Sequence, residues 1–185
     1  MNPYPDINHW IIPDGLFRAS LDELARDGKK GKEGMCLWLG SRGHDRNARF
    51  THAGFFEPNS IKNGPAHIQI EPELMLDLHK KAEANGITLI GQIHSHPKIA
   101  GVNLSYTDRT YGISVPGYLS LVVPNFAMGK HVSIENCGVH MFVRGRGYRQ
   151  LTKNEVAQKI VVDPKLGFSI LKIGNGKRRF IKPGI

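Results

Sequence analysis

The run from Ile87 to Ile93 constrains the fold more than any other part of this chain. It is rich in β-forming residues and ends in His94-Ser95-His96-Pro97. Before it comes a helical stretch, Glu71 to Asn85, in which Leu74, Leu78 and Ala82 mark one face and Gly86 supplies the stop. Side chains at i and i+2 of a strand share a face, so His94 and His96 project together, roughly 7 Å apart at Cα, and Ser95 points the other way. Pro97 has no N–H to donate, so the strand stops there and releases the chain into a loop.

The same alternation recurs along the chain. Residues 14–27 place Leu16, Phe17, Ser20, Leu21, Leu24 and Ala25 at helical spacing, ended near Gly28. Met35-Cys36-Leu37-Trp38-Leu39, between glycines, predicts a buried strand. Ala48 to Phe56 returns as another after a turn at Gly43-His44-Asp45-Arg46-Asn47. Pro58 to Pro65 reads as loop. Tyr118–Val123 and Val139–Val143 read as strands, and Thr152–Val161 as a helix. Phe168–Ile173 and Arg179-Phe180-Ile181 read as a hairpin (168–182) about the turn Gly174-Asn175-Gly176. This order predicts an α/β or α+β fold, a sheet flanked by helices.

A length of 185 residues favours one domain, 1–185, with ordinary hydrophobic content of 40% and charged content of 22%. No apolar run approaches the ~20 residues that span a bilayer, and Met1-Asn2-Pro3-Tyr4-Pro5-Asp6 lacks signal-peptide character. A cytoplasmic protein without a membrane partner is the expectation. Cys36 and Cys137, the only two cysteines, form no C-x-x-C pair and read as buried small hydrophobes. The net charge of +9 is uneven: residues 1–140 carry 14 Lys/Arg and 14 Asp/Glu, whereas 141–185 carry 11 Lys/Arg against Glu155 and Asp163. That basic segment reads either as a surface for an acidic partner or as a solvated face.

Chemistry concentrates between His94 and Asp108. Two imidazoles, the Ser105 hydroxyl and the Asp108 carboxylate fall within fifteen residues. Two histidines and a carboxylate make the ligand set of a catalytic zinc site, with one position left for water. Asp108 is the only carboxylate between Glu83 and Glu135, so a nearby acidic ligand is this one. Each element has a plainer reading. H-x-H also describes a satisfied core or surface pair, and Ser105-x-x-Asp108 also describes a helix capping box. The capping and ligand readings are compatible, because a cap fixes the carboxylate on a rigid first turn. The other histidines (His9, His44, His52, His67, His79, His131 and His140) stand singly and read as surface or packing.

Taken together, His94-Ser95-His96-Pro97 through Asp108 resembles the JAMM (MPN+, JAB) motif of zinc isopeptidases. That family also has a glutamate at the head of a buried strand, matched here by Glu33 in Glu33-Gly34-Met35-Cys36-Leu37-Trp38-Leu39-Gly40. Taken alone, Glu33 beside Lys29, Lys30 and Lys32 reads as a surface loop charge. The resemblance spans roughly residues 14–145 and implies a JAB/MPN-like mixed β-sheet of the cytidine-deaminase type, flanked by helices. There is one departure from the family pattern: eight residues, Pro97 to Leu104, separate His96 from Ser105, where seven are usual. Gly101 offers a place to absorb the extra one.

The resemblance implies Zn²⁺ held by His94, His96 and Asp108, Glu33 as general base and Ser105 as oxyanion stabiliser. It implies cleavage after the C-terminus of ubiquitin or a ubiquitin-like protein. The partners would be that protein or its conjugates, together with E1- and E2-like enzymes, in a stand-alone bacterial branch that includes antiphage systems. Three other readings stay open at this stage. One is a peptidase acting on sulfur-carrier adducts. Another is a non-catalytic binding module. The third is a nucleic-acid-associated relative, for which the basic segment 141–185 speaks and its sparse aromatic interleaving does not. A serine hydrolase lacks its G-x-S-x-G elbow.

Overall fold

The computed structural model describes residues 7–174. Strand β1 (His9–Pro13) leads into helix α1 (Asp14–Gly28). Strands β2 (Met35–Arg42) and β3 (Asn47–Phe56) follow, then a short pair, β4 (Lys62–Gly64) and β5 (His67–Gln69), and helix α2 (Pro72–Ala84). Strand β6 (Thr88–Ser95) precedes the short helix α3 (Tyr106–Tyr111), after which come β7 (Leu119–Val123), β8 (Gly138–Val143) and β9 (Gly147–Gln150). Helix α4 (Lys153–Lys159), β10 (Ile160–Asp163) and β11 (Ser169–Ile173) complete the described chain.

The large mixed sheet runs in the order β10-β1-β3-β2-β6-β7-β8-β9, with β11 also paired to β3. Strand β2 is central, antiparallel to both β3 and β6, while β6 pairs in parallel with β7. Both faces of β2 are covered, which explains its near-continuous apolar run. Alternate residues serve different layers. Cys36 and Trp38 pack with Leu16, Phe17 and Leu24 of α1 on one face. Leu37 and Leu39 pack with Leu74, Leu78 and Ala82 of α2 on the other. Burying side chains of this size contributes about 1.5–3 kcal/mol each. The result is the expected α+β class, a curled mixed sheet flanked by helices.

Two polar side chains at the contact of α1 with β2 are paired with one another. The indole N–H of Trp38 donates to Ser20 Oγ at 2.9 Å, and the Ser20 hydroxyl donates to the Leu16 carbonyl at 2.8 Å. Cys36 is fully buried, and burial pushes its thiol well above the ordinary range, so it is a packing residue and not a nucleophile. Among the described residues, no helix is long and apolar enough to cross a membrane.

Several boundaries differ from the sequence reading. The stretch Pro58–Pro65 is not all loop, since Lys62–Gly64 forms β4 against β5. The helix expected over 152–161 ends at Lys159, because the β-branched Ile160, Val161 and Val162 extend into β10 and join β1 in parallel. The expected strand at 168–173 is present as β11, but it pairs in parallel with β3. The Asn175-Gly176 turn and the returning segment 179–181 lie outside the described residues. Strands β1 and β9 had no counterpart in the sequence reading.

Candidate metal centre

The two histidines emerge from the end of β6, where the ladder to β7 positions His94 opposite Val122. Both are buried, His94 at 1% and His96 at 3% exposure. Their shared face brings the two Nε2 atoms to 3.2 Å. Asp108 closes the group, with Oδ2 at 3.6 Å from His94 Nε2 and 3.3 Å from His96 Nε2. Three ligand atoms on a tetrahedral cation with bonds of about 2.0–2.1 Å lie about 3.3 Å apart. The observed spacings fit such an ion, and two imidazoles with one carboxylate leave a fourth position open.

Asp108 is held from its own helix. Ser105 is the N-cap of α3: its Oγ accepts from the Asp108 N–H at 3.1 Å, and Asp108 Oδ2 accepts from the Ser105 N–H at 2.8 Å. The capping box and the candidate ligand are therefore one structure. Burial acts to raise the Asp108 carboxyl, but hydrogen bonds and charge from His94 and His96, with the Ser105 bond, hold it well below the usual range. The carboxylate is therefore ionised at neutral pH.

The loop between His96 and Ser105 makes a short turn at Lys98–Ala100 and then reverses at Gly101, with φ 67° and ψ −149°. Only glycine adopts that region without strain. The loop then passes so close to β8 that a Cβ on Gly138 would lie 1.8 Å from the Val102 carbonyl oxygen. On the other side, Phe126 N–H donates to the His96 carbonyl at 2.8 Å, from a left-handed turn in which Asn125, Phe126 and Ala127 have φ of 53°, 54° and 60°. The eight-residue spacing thus coexists with convergence of the three candidate ligands.

Glu33 lies beside this group. Gly34 and Ser95 are joined twice: Ser95 N–H donates to the Gly34 carbonyl, and Gly34 N–H donates to Ser95 Oγ, both at 3.0 Å. That register places Glu33 next to His96 on the shared face. Glu33 is 7% exposed. Burial is the main cause that raises its pKa to about 7; the neighbouring His96 lowers it and Asp108 raises it. The surface-charge reading of Glu33 is overturned by this burial.

Two further features lie near the group: of the surface and packing readings of His140, packing holds, and an open groove is new. His140 is buried at 2% exposure on β8, opposite Ser120. Burial, and then the nearby His94, pull its pKa down to about 4. A groove of about 710 Å³ runs from Asp108 between α2 and α3, lined by Met35, Ile68, Ile70, Met75, Tyr111 and Ile113. Periodicity identifies apolar faces, but it cannot say which of them is left open.

No protein-family model matches the chain. The probable metalloprotease y4jG of Sinorhizobium fredii is 31% identical over 129 residues, covering 69% of this chain and 78% of that protein. Protein DSY2949 of Desulfitobacterium hafniense shares the fold, with a TM-score of 0.62 at 20% identity over 85% of this chain and 94% of that one. A protein from Salinibacter ruber aligns with a TM-score of 0.51 at 16% identity over the same shares.

Proposed function

The chain belongs to the metalloprotease family of the Sinorhizobium relative, and on that premise we propose that it is a JAMM-type zinc peptidase cleaving the amide or isopeptide bond after the C-terminus of a ubiquitin-like protein. The observation that carries the reading is the convergence of His94, His96 and Asp108, with ligand atoms all within 4.8 Å of one another, beside the buried Glu33. His94, His96 and Asp108 are the residues that would hold the ion. Two imidazoles and a carboxylate at these spacings suit Zn²⁺. When bound, zinc supplies Lewis acidity that polarises the scissile carbonyl and acidifies water.

The chain's own residues account for the proton movements and for substrate placement. Glu33 takes the proton of the attacking water and delivers it to the departing amine. A pKa raised to about 7 suits a group that must both accept and release a proton near neutrality. Ser105 Oγ uses a lone pair on the Asp108 N–H, so its own O–H remains to donate to the oxyanion. The apolar groove beside Asp108 receives the extended tail, with β5 offering main-chain pairing. A ubiquitin-like protein or its conjugate is the partner in this reading, with E1- and E2-like enzymes as the source of the conjugate.

The test uses the zinc-loaded protein and a ubiquitin carrying a C-terminal peptide extension. Glu33→Ala retaining zinc while losing cleavage is the expected result. Unchanged cleavage by Glu33→Ala overturns the mechanism.

A further inference from the structure

Glu33 precedes the ladder, since β2 begins at Met35 and residues 29–34 are irregular. A general base placed there has no strand of its own to fix it. Both of its main-chain polar groups are nevertheless engaged, and both by β4. Its N–H donates to the Gly64 carbonyl at 2.8 Å, and its carbonyl accepts from Asn63 Nδ2 at 2.8 Å. The same Asn63 nitrogen donates to Asp27 Oδ2 at 3.0 Å, in the last turn of α1. One side-chain amide therefore ties the end of α1 to the backbone of Glu33, using both N–H bonds of a single nitrogen.

We infer that Asn63 is a positioning residue for the Glu33 carboxylate, acting through the Glu33 main chain; this rests on the reading of Glu33 as the general base. The residue type matters. An aspartate at position 63 has no N–H to offer and would set a carboxylate against both the Asp27 carboxylate and the Glu33 carbonyl. Alanine leaves that carbonyl and Asp27 without this donor. Glutamine keeps the amide on a stem one methylene longer. Displacing a reacting group by about 1 Å costs on the order of 10²-fold in rate, and the Glu33 carboxylate turns on the backbone that Asn63 holds. Asn63 is itself distant in sequence from Glu33 and from the three candidate ligands, which is why neither motif nor periodicity identifies it.

The test compares wild type with Asn63→Ala, Asn63→Asp, Asn63→Gln and Glu33→Gln, using the zinc-loaded protein and the same ubiquitin–peptide fusion. Asn63→Ala is expected to keep its zinc and its KM and to lose about 10–100-fold in kcat. Asn63→Asp is expected to lose more, and Asn63→Gln to recover part. In metal-free protein, amide hydrogen exchange at Glu33 is expected to quicken in Asn63→Ala while the β6 and β7 amides keep their protection. Wild-type kcat in Asn63→Ala, where Glu33→Gln is inactive, overturns the inference. Full cleavage by Glu33→Gln is a different failure, that of the general-base reading. If the fusion is not cleaved at all, exchange decides: unchanged protection at Glu33 in Asn63→Ala overturns the inference, and selective loss supports it.

Discussion

Met35 stands directly opposite His94 in the antiparallel ladder of β2 and β6. This pairing joins two distant stretches of sequence into one site. It sets Glu33, two residues before Met35, beside His96, two residues after His94. It also places Met35 in the wall of the groove that leads from Asp108. The site is thus built at the ends of two adjacent strands, where rigid ladders fix direction and the chain is free to turn away.

The Ser95 hydroxyl holds that junction, accepting the buried Gly34 N–H at 3.0 Å on the face opposite the ligands. Ser95→Ala leaves that donor unpaired, at a cost of about 1–3 kcal/mol. Chemical denaturation is expected to show the loss, and cleavage is expected to fall further than zinc content because Glu33 is adjacent. Ser95→Ala with wild-type stability and activity would show that this contact does not hold the junction.

In the proposed reading, the burial that suits Glu33 to its role also costs stability. Its raised pKa means the native state favours the protonated form, so stability is full below the ordinary carboxylate range and declines as pH rises through about 7. Glu33→Gln is therefore expected to raise the Tm of metal-free protein more at pH 8 than at pH 5, while abolishing cleavage. A Tm gain of equal size at both pH values would contradict the buried, raised carboxyl.

His140 gives the opposite sign. Its folded pKa of about 4 lies below the unfolded value of about 6.5, so stability is full above 6.5 and is lost as pH falls through 4. His140→Gln is expected to lessen the acid sensitivity of the metal-free protein over that window, read by denaturation at pH 7 and pH 4.5. An unchanged difference between the two pH values would show that His140 titrates normally.

Gly138 has no room for a side chain, because the loop carrying Val102 crosses it. Gly138→Ala must displace the loop between His96 and Ser105, since the opposing atom is backbone. A cost of about 1–3 kcal/mol is expected, together with weaker zinc binding as Asp108 shifts. Zinc affinity equal to that of the wild type would mean that the loop's path does not govern the third ligand.

The candidate ligand set was legible in the sequence because it obeys local rules. Strand periodicity sets His94 and His96 side by side, and a capping box fixes Asp108. Glu33 was legible only through the resemblance, since its partner across the ladder is far away in sequence. Asn63 and the β4–β5 pair were missed because strands of three residues carry no period. Strands β1 and β10 were missed because their parallel pairing joins opposite ends of the described chain. His140 looked like an isolated histidine, and only strand order places it near His94.

In the proposed reading, His94, His96 and Asp108 hold a catalytic zinc ion. Calorimetric zinc titration of metal-free protein tests it most directly, with His94→Ala, His96→Ala and Asp108→Ala alongside wild type. One zinc per wild-type chain is expected, with a loss of at least about 100-fold in affinity for each variant, because three protein ligands become two and even the loss of an outer-shell partner costs about 10–100-fold. Wild-type zinc affinity in any one of the three would contradict it.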